Sequence, residues 1–520
     1  MRARPVAIWS ILERACEEFG ERLAWREGEE NLDYRTVRDH AASVAGFFQR
    51  RGLEPGARVS ILADNAPRYV STYFAAAGSG LVLNPLNTRL SPAELRGILR
   101  DAGSRLLVSD QSNREQALAL VAETELEEIL WMEGDASSGV GWEEVLAAGP
   151  EGFDPPRVDA DSPAQLYYTS GTTGAPKGVI LTHRNVVRHA ENARFELKLS
   201  PAEVWGHFAP LFHLADAWAS FAVTMAGGAH SFVPRFHAAE VQRVIESERV
   251  TLSNLVPTMI VRLLAEQCAQ PAELSSLRLL LSGGAPLAPA VIDELIERVG
   301  CEYAQTYGLT ETSPYLTISL LGAESDGLDA DARRARNSRT GRPFHGVELE
   351  VVDASDLPVR PNDEEVGEIR VRGETISPGY WQQPEETALV HRNGWFYTGD
   401  LAVVDEAGFV NIVDRKKDVI LSGGETVYST EVEHALYELS AISEAAVFGL
   451  PDDEWGERVA VALVLRTGFT LPQTELDEHC RARLAAYKRP REVHFVEALP
   501  RTGSGKIQKK ALRARFSPDS

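Results

Sequence analysis

Cysteine is scarce in this chain: four among 520 residues (Cys16, Cys268, Cys301 and Cys480), far apart and without a C-x-x-C pair. That excludes a disulfide framework and a zinc knuckle, and leaves single buried thiols in a reducing cytosol as the expectation. Long apolar runs are missing too. A membrane helix takes about 18 uninterrupted apolar residues, and the nearest stretches, 74–83 and 221–229, are short and broken by glycine. Positive charge is the third shortage. Lys and Arg number 53 against 76 Asp and Glu, a formal net charge of −23. A nucleic-acid partner needs a basic footprint, so this balance excludes one while leaving room for a locally basic anion site. No internal repeat, long low-complexity segment or G-x-S-x-G nucleophile elbow is present. Arginines stand at positions 2 and 4, but acids begin at Glu13, and the apolar residues Ile8, Ile11, Leu12, Ala15, Cys16 and Phe19 recur at helical spacing rather than as a signal-peptide run. The expectation is a soluble, cytoplasmic protein with no integral membrane segment.

What is there is apolar residue in quantity, 44% of a chain too long for one ordinary domain. Residues 1–150 alternate helical and strand-like segments: a helix over 34–51, a strand over 58–62, a helix over 66–78, and short apolar runs at 81–83 and 105–108. That rhythm predicts an α/β layer with a mainly parallel sheet. Aromatics gather over 202–234, most of them explained by core packing. From 347 to 372 the period changes to two, which predicts a β-rich subdomain. Residues 321–339 are polar and charged and read as an exposed excursion. Beyond Asp414 a new unit starts, with a helix over 430–439 capped by Thr430 with Glu433 three residues on. Strands over 445–449, 459–465 and 493–496 and a helix over 476–487 complete about 100 residues of α+β character.

The most informative stretch is Tyr167 to Val179, YYTSGTTGAPKGV. Such a loop presents backbone N–H groups, hydroxyls and one cation to a single point, which is what a triphosphate requires. It is not a Walker A loop, because Lys177 is succeeded by Gly178 instead of Ser or Thr. An apolar run lies before it and a strand over 178–181 after it. Gln305 to Thr312, QTYGLTET, places an aromatic face, a hydroxyl and a carboxylate within a few residues, a set that can stack adenine, reach a phosphate and hold Mg²⁺. In SGGAPL (282–287) two glycines let a backbone approach a planar base closely. YTGD (397–400) puts a carboxylate where it can accept from ribose hydroxyls. Taken singly, each also reads as an ordinary turn. Near the C-terminus, LPRTGSGKIQKKALR fails as a P-loop, since Pro500 stands where the leading Gly belongs and Ile507 where Ser or Thr belongs; it also reads as a basic, solvated tail.

Together these motifs resemble the adenylate-forming superfamily of acyl- and aryl-CoA ligases, luciferases and nonribosomal adenylation domains, and the resemblance spans nearly the whole chain. It implies a large N-terminal domain (1–416) of layered, mainly parallel sheets with a β-rich subdomain, and a small mobile C-terminal domain (417–520). It implies a phosphate cradle from Thr169, Ser170, Gly171, Thr172, Thr173, Gly174 and Lys177. Gly284, Ala285 and Pro286 would line the adenine and acyl pocket, together with Gln305, Thr306, Tyr307 and Gly308, Tyr307 lying on adenine. Thr310 would reach the α-phosphate and Glu311 would hold Mg²⁺. Asp400, helped by Arg415, would bind ribose. His213, in Phe212-His213-Leu214, would border the acid's carboxylate; Trp218, Ser313 and Pro314 are further pocket candidates. Ser422, Gly423 and Gly424 would line the pantetheine tunnel, with Ser429 standing where many relatives have Pro. Lys506 would swing in to promote adenylation about a hinge at Lys417. The implied reaction is ATP-dependent activation of a carboxylic acid as its adenylate, then transfer to coenzyme A. An acyl carrier protein as acceptor, a non-catalytic nucleotide-binding role and a homodimer remain open. No obvious buried charge lies among the pocket candidates, which leans towards an apolar fatty or aryl acid. Asp216 is the exception, read as a solvated helix position.

Overall fold

A computed structural model of the chain describes residues 7–27, 30–169, 176–321, 327–501 and 507–517. The chain divides by packing into two units, residues 1–349 with 371–396, and residues 350–370 with 397–520. Each is built from its own sequence periods.

In the first unit, strands buried along almost their whole length can only sit inside a covered sheet. Arg58–Leu62 is of this kind, buried at every position after the first. It lies within a seven-stranded sheet ordered Val140–Gly141, Glu128–Trp131, Ser104–Ser109, Arg58–Leu62, Val82–Pro85, Pro163–Thr169, Lys177–Thr182. All its pairings are parallel except the last, an antiparallel hairpin. A second, nine-stranded sheet is parallel from Glu302–Gly308 through Leu279–Ser282, Leu252–Asn254, Val204–His207 and Ala229–Phe232 to Leu23–Glu27, with antiparallel strands at both edges. Helices arise from caps and stripes. Asp33 accepts from Thr36 N at 2.8 Å and opens Tyr34–Arg50, which buries Val37, Ala41, Val44, Phe47 and Phe48. The helices Pro67–Gly78 and Leu214–Ala226 meet in the main core, with Phe221 edge-on to Tyr73 at 5.4 Å and to Phe74 at 5.6 Å.

The second unit contains the antiparallel strands Trp395–Val404 and Val410–Arg415 from residue 397 on, and a further sheet. That sheet runs Glu425–Val427, Ile420–Ser422, Gly456–Leu465, Ile442–Asp452, with Glu492–Phe495 parallel to Gly456–Leu465. The helices Ser429–Tyr437 and Gln473–Arg483 cover it and share a core of Ile420, Val432, Leu436, Val447, Val461, Leu463 and Leu476. Mainly parallel sheets and a small α+β unit are thus the architecture expected from the sequence. The division by packing groups 397–416 with the C-terminal residues, and Asp414 and Val413 bond to Ser429 and Thr430 there; the sequence reading ends its first domain at 416.

Two local expectations are corrected. The segment 321–339 is more than an excursion: Ala330–Asn337 is a helix, opened by Asp329 accepting from Ala332 N at 2.7 Å. Thr430 is not a cap. The helix begins at Ser429, and its first amide is satisfied by Asp414, whose carboxylate accepts from Ser429 N. The Thr430 hydroxyl donates instead to the Val413 carbonyl. Glu433 faces inward, accepting from Val447 N at 2.8 Å and pairing with Lys509 at 2.8 Å.

Candidate active site

Open α/β sheets carry their sites beyond the carboxyl ends of their parallel strands. In the first unit the motif residues lie there. Strand Leu279–Ser282 leads into 283–287, where Gly284, Ala285 and Pro286 are all exposed. Its neighbour Glu302–Gly308 places Gln305 opposite Ser282 in register. Gln305 and Thr306 are buried, with the Thr306 hydroxyl donating to the Ser282 carbonyl at 3.1 Å, while Tyr307 and Gly308 are partly exposed. Two glycines are required by space. A Cβ on Gly283 would stand 2.8 Å from Thr306 Oγ, and one on Gly308 1.8 Å from the Pro314 carbonyl oxygen. After Gly308 a short turn, Thr310–Thr312, leaves the Thr310 and Glu311 side chains partly exposed. That turn is held from behind: Leu309 N donates to Pro314 O at 3.1 Å, Ser377 N to Glu311 O at 2.8 Å, and Ser313 Oγ to Thr375 O at 2.7 Å.

The Ser/Thr/Gly loop is the connection of the Pro163–Thr169/Lys177–Thr182 hairpin, and Thr169 and Lys177 face each other at its base. Ser170, Gly171, Thr172, Thr173 and Gly174 lie outside the described residues. The Lys177 ammonium pairs with Glu386 and lies 5.3 Å from the centre of the Tyr380 ring. The Tyr380 hydroxyl donates to Glu311 Oε1 at 2.8 Å. Burial pushes the Tyr380 phenol well up, and the Glu311 and Glu386 carboxylates push it further. The lysine and the carboxylate singled out by sequence therefore stand on either side of one tyrosine. Sequence reasoning missed both Tyr380 and Glu386; the only signal was a pair of acids, Glu385 and Glu386, in the first turn of Pro384–Val390. Among the described residues no group of three His, Cys, Asp or Glu could hold a metal ion.

His213 is the residue preceding Leu214–Ala226 and is partly exposed, edge-on to Phe212 at 4.7 Å. Arg89 lies 5.9 Å over the Phe212 ring, its guanidinium pulled below its ordinary range by burial. Trp218, on the same helix, is buried; its indole N–H reaches Tyr315 Oη at 3.1 Å, and its ring meets those of Trp205, Tyr315 and His189. Pro314 and Ser313, immediately before Tyr315, are buried as well. Asp216 is not solvated. It is fully buried, one oxygen accepting from Trp205 Nε1 at 3.1 Å and the other 2.6 Å from His207 Nδ1. His207 Nε2 lies 3.0 Å from His230 Nδ1, and His230 Nε2 lies 3.1 Å from Thr224 Oγ1. Burial, with His207 beside it, drives the His230 pKa far down. The solvated reading fails because Asp216's partners, Trp205 and His207, arrive from the strand Val204–His207, which its own helix does not reveal.

The second unit brings together another set. Asp400 and Arg415 pair across the ladder, Arg415 Nε to Asp400 Oδ1 at 2.9 Å. Lys417 sits in the next turn, where Asp418 N donates to Arg415 O at 2.8 Å; burial lowers its pKa. Gly423 and Gly424 form the two-residue link between Ile420–Ser422 and Glu425–Val427. Their φ values of 64° and 82° are the left-handed pair that this tight hairpin demands. A Cβ on Gly423 would also stand 2.5 Å from the Trp455 ring. Lys506 lies outside the described residues. Around it, Arg501 and Ile507 bridge antiparallel and Gln508 N donates to Pro500 O at 2.8 Å.

Known proteins resemble the chain along nearly its whole length. Residues 12–381 match the family "AMP-binding enzyme", and residues 431–506 match "AMP-binding enzyme C-terminal domain". The chain is 37% identical to a feruloyl-CoA synthase of Amycolatopsis sp over 517 residues, covering 99% of this chain and 100% of the relative. It is 34% identical to a long-chain-fatty-acid–CoA ligase of Thermus thermophilus over 521 residues, covering 98% and 95%. Among solved structures, it superimposes on the anthranilate CoA ligase AuaEII in complex with anthranoyl-AMP with a TM-score of 0.87 at 25% identity, covering 99% and 98%.

Proposed function

The chain belongs to the AMP-binding enzyme family, and from that premise we propose that it is an ATP-dependent ligase joining a carboxylic acid to coenzyme A through an acyl-adenylate. The observation that carries this reading is the pairing of the hairpin base with the Glu311 turn: one lysine and one carboxylate held beside the same tyrosine. A magnesium triphosphate asks for that combination, a cation for its oxygens and an acid for its metal.

The acid's carboxylate oxygen attacks the α-phosphorus of ATP, and the bond to pyrophosphate breaks. The coenzyme A thiol, losing its proton, then attacks the acyl carbon, and AMP leaves. An anion attacks an anion in the first step, so charge compensation is the main catalytic demand. Lys177 meets the pyrophosphate side, with Thr169 and the 170–174 hydroxyls and amides around it, and the Thr310 hydroxyl meets the α-phosphate. Lys506 supplies the further positive charge, in a C-terminal domain that turns about Lys417. Tyr307, Gln305, Thr306, Gly308 and the exposed backbone of 284–286 take adenine, and the Asp400–Arg415 pair takes ribose. Ser422, Gly423 and Gly424 border the pantetheine arm.

The donor set for Mg²⁺ is a single carboxylate, Glu311, with no three-residue cluster among the described residues. That fits a magnesium ion shared with water and the substrate's phosphates, rather than a cage made by protein alone. Bound there, it would supply charge neutralisation at the phosphates. The acid is fatty or aryl. Around Trp218 the neighbours are rings, and the buried Asp216 on its helix already answers Trp205 and His207, so it offers nothing to a substrate amino group.

The test is pyrophosphate release across a panel of acids, with the two half-reactions separated. Apolar aryl or fatty acids should give release, and Lys506→Ala should suppress adenylate formation while sparing thioester formation from supplied acyl-adenylate. Absence of acid-dependent release across the panel would overturn the reading.

A further inference from the structure

Lys177 already has an anion of its own. Its side chain is 12% exposed and its partner Glu386 35% exposed. Glu386 belongs to a stretch laid against the lysine's own strand. Ile180 N donates to Gly379 O at 3.0 Å and Trp381 N to Gly178 O at 2.7 Å, and Val179 and Tyr380 form an antiparallel bridge. Thr387 closes the stretch, its hydroxyl accepting from Tyr380 N at 2.9 Å. The helix dipole explains an acid in the first turn of Pro384–Val390, and Glu385 alone would serve it. It does not explain why Glu386 reaches the one lysine at the base of the Ser/Thr/Gly loop, or why Tyr380 lies between that lysine and Glu311.

We infer that Glu386 is a built-in stand-in for a phosphate: it holds Lys177 when the nucleotide is absent, yields it to ATP, and reclaims it as pyrophosphate leaves. This rests on the reading of Lys177 as a phosphate ligand. A partly buried ammonium left without a counter-ion is costly, so each exchange must replace one anion by another. The carboxylate therefore competes with the ligand. It weakens the binding of ATP and pyrophosphate alike, and it shortens the time pyrophosphate stays after adenylation. Glu386 acts through Lys177 and touches no reacting atom, so it is a positioning residue.

The experiment is calorimetric binding of magnesium pyrophosphate to the full chain and to Glu386→Gln, together with product inhibition by pyrophosphate during turnover. The variant should bind pyrophosphate about fivefold more tightly, the size expected for removing one partly exposed competing carboxylate. Inhibition should tighten and KM for ATP fall by the same factor, with kcat equal or lower. Unchanged or weaker pyrophosphate binding overturns the inference. Glu386→Ala repeats the comparison with a side chain that cannot hydrogen-bond Lys177. In a Lys177→Met background, Glu386→Gln should change nothing, since its effect passes through the lysine; a persisting gain also overturns the inference. If Lys177→Met alone leaves pyrophosphate binding intact, the phosphate role of Lys177 falls and the stand-in with it. If Lys177→Met weakens binding while Glu386→Gln fails to tighten it, only the stand-in falls.

Discussion

Each unit contains a lysine–glutamate pair, and the two differ in their company. Lys177–Glu386 in the first unit sits at a hairpin base against one aromatic ring. Lys509–Glu433 in the second, at 2.8 Å, is 14% and 15% exposed. There the lysine also donates to Ser429 Oγ, which donates to Asp414 Oδ1 at 3.1 Å, while Glu433 accepts from Val447 N. Burial raises the Glu433 carboxyl and Lys509 pulls it back. The difference separates two uses of one chemistry. A pair with many internal partners is fixed, because every group in it would be stranded by release. A pair with one partner beside a loop can be exchanged for a ligand.

The sharpest way to break this contrast is Lys509→Met. It strands a buried carboxylate and should cost about 3–5 kcal/mol, read as faster hydrogen exchange over 429–447. A loss below about 1 kcal/mol would put this pair in the exchangeable class. Adding Glu433→Gln should recover much of the loss, because the stranded charge is then gone. The next effect falls on the other pair. Lys177→Met should lower adenylate formation roughly 100-fold, a typical size for one lost electrostatic contact in a transition state. Its unfolding free energy should move by less than about 1 kcal/mol; a large stability loss would make the two pairs alike.

A smaller effect comes from pH. Burial lowers His183 to about 4 and His189 to about 3, both in the first unit. The unfolded value is about 6.5, so the unfolded state binds more protons below it. Stability from each histidine is thus complete above about pH 6.5 and is lost as pH falls, by roughly 1–2 kcal/mol per residue at pH 5. Glu433 has the opposite sign: its raised folded pKa favours the fold below the unfolded value, and that contribution goes as pH rises through the folded one. Acid titration monitored by hydrogen exchange should weaken the first unit before the second. The reverse order would break the contrast, and His189→Asn should flatten the first unit's slope.

Much of the molecule is legible in its sequence, for a reason that also marks the limit. The Thr169–Lys177 hairpin, the QTYGLTET turn and the Gly423–Gly424 link are local, and local chemistry declares itself in residue type and spacing. Asp216 misleads because Trp205, His207 and His230 come from neighbouring strands. Thr430 misleads because a residue on another strand, Asp414, does the capping. The helix Ala330–Asn337 escapes notice because it is almost entirely polar and shows no apolar stripe, although Asp329 offers the cap. Glu386 is invisible because it meets Lys177 across 209 residues of chain.

The buried line from Trp205 through Asp216, His207 and His230 to Thr224 has a direction. Indole N–H can only donate and a carboxylate oxygen only accept, so with both rings neutral every link points towards Asp216. Each imidazole then carries its hydrogen on Nδ1, and the threonine hydroxyl closes the line as a donor. Reversing one ring would set two donors or two lone pairs face to face. Each hydrogen along it is thereby assigned by its neighbour, from the Thr224 hydroxyl through both Nδ1 atoms to the carboxylate.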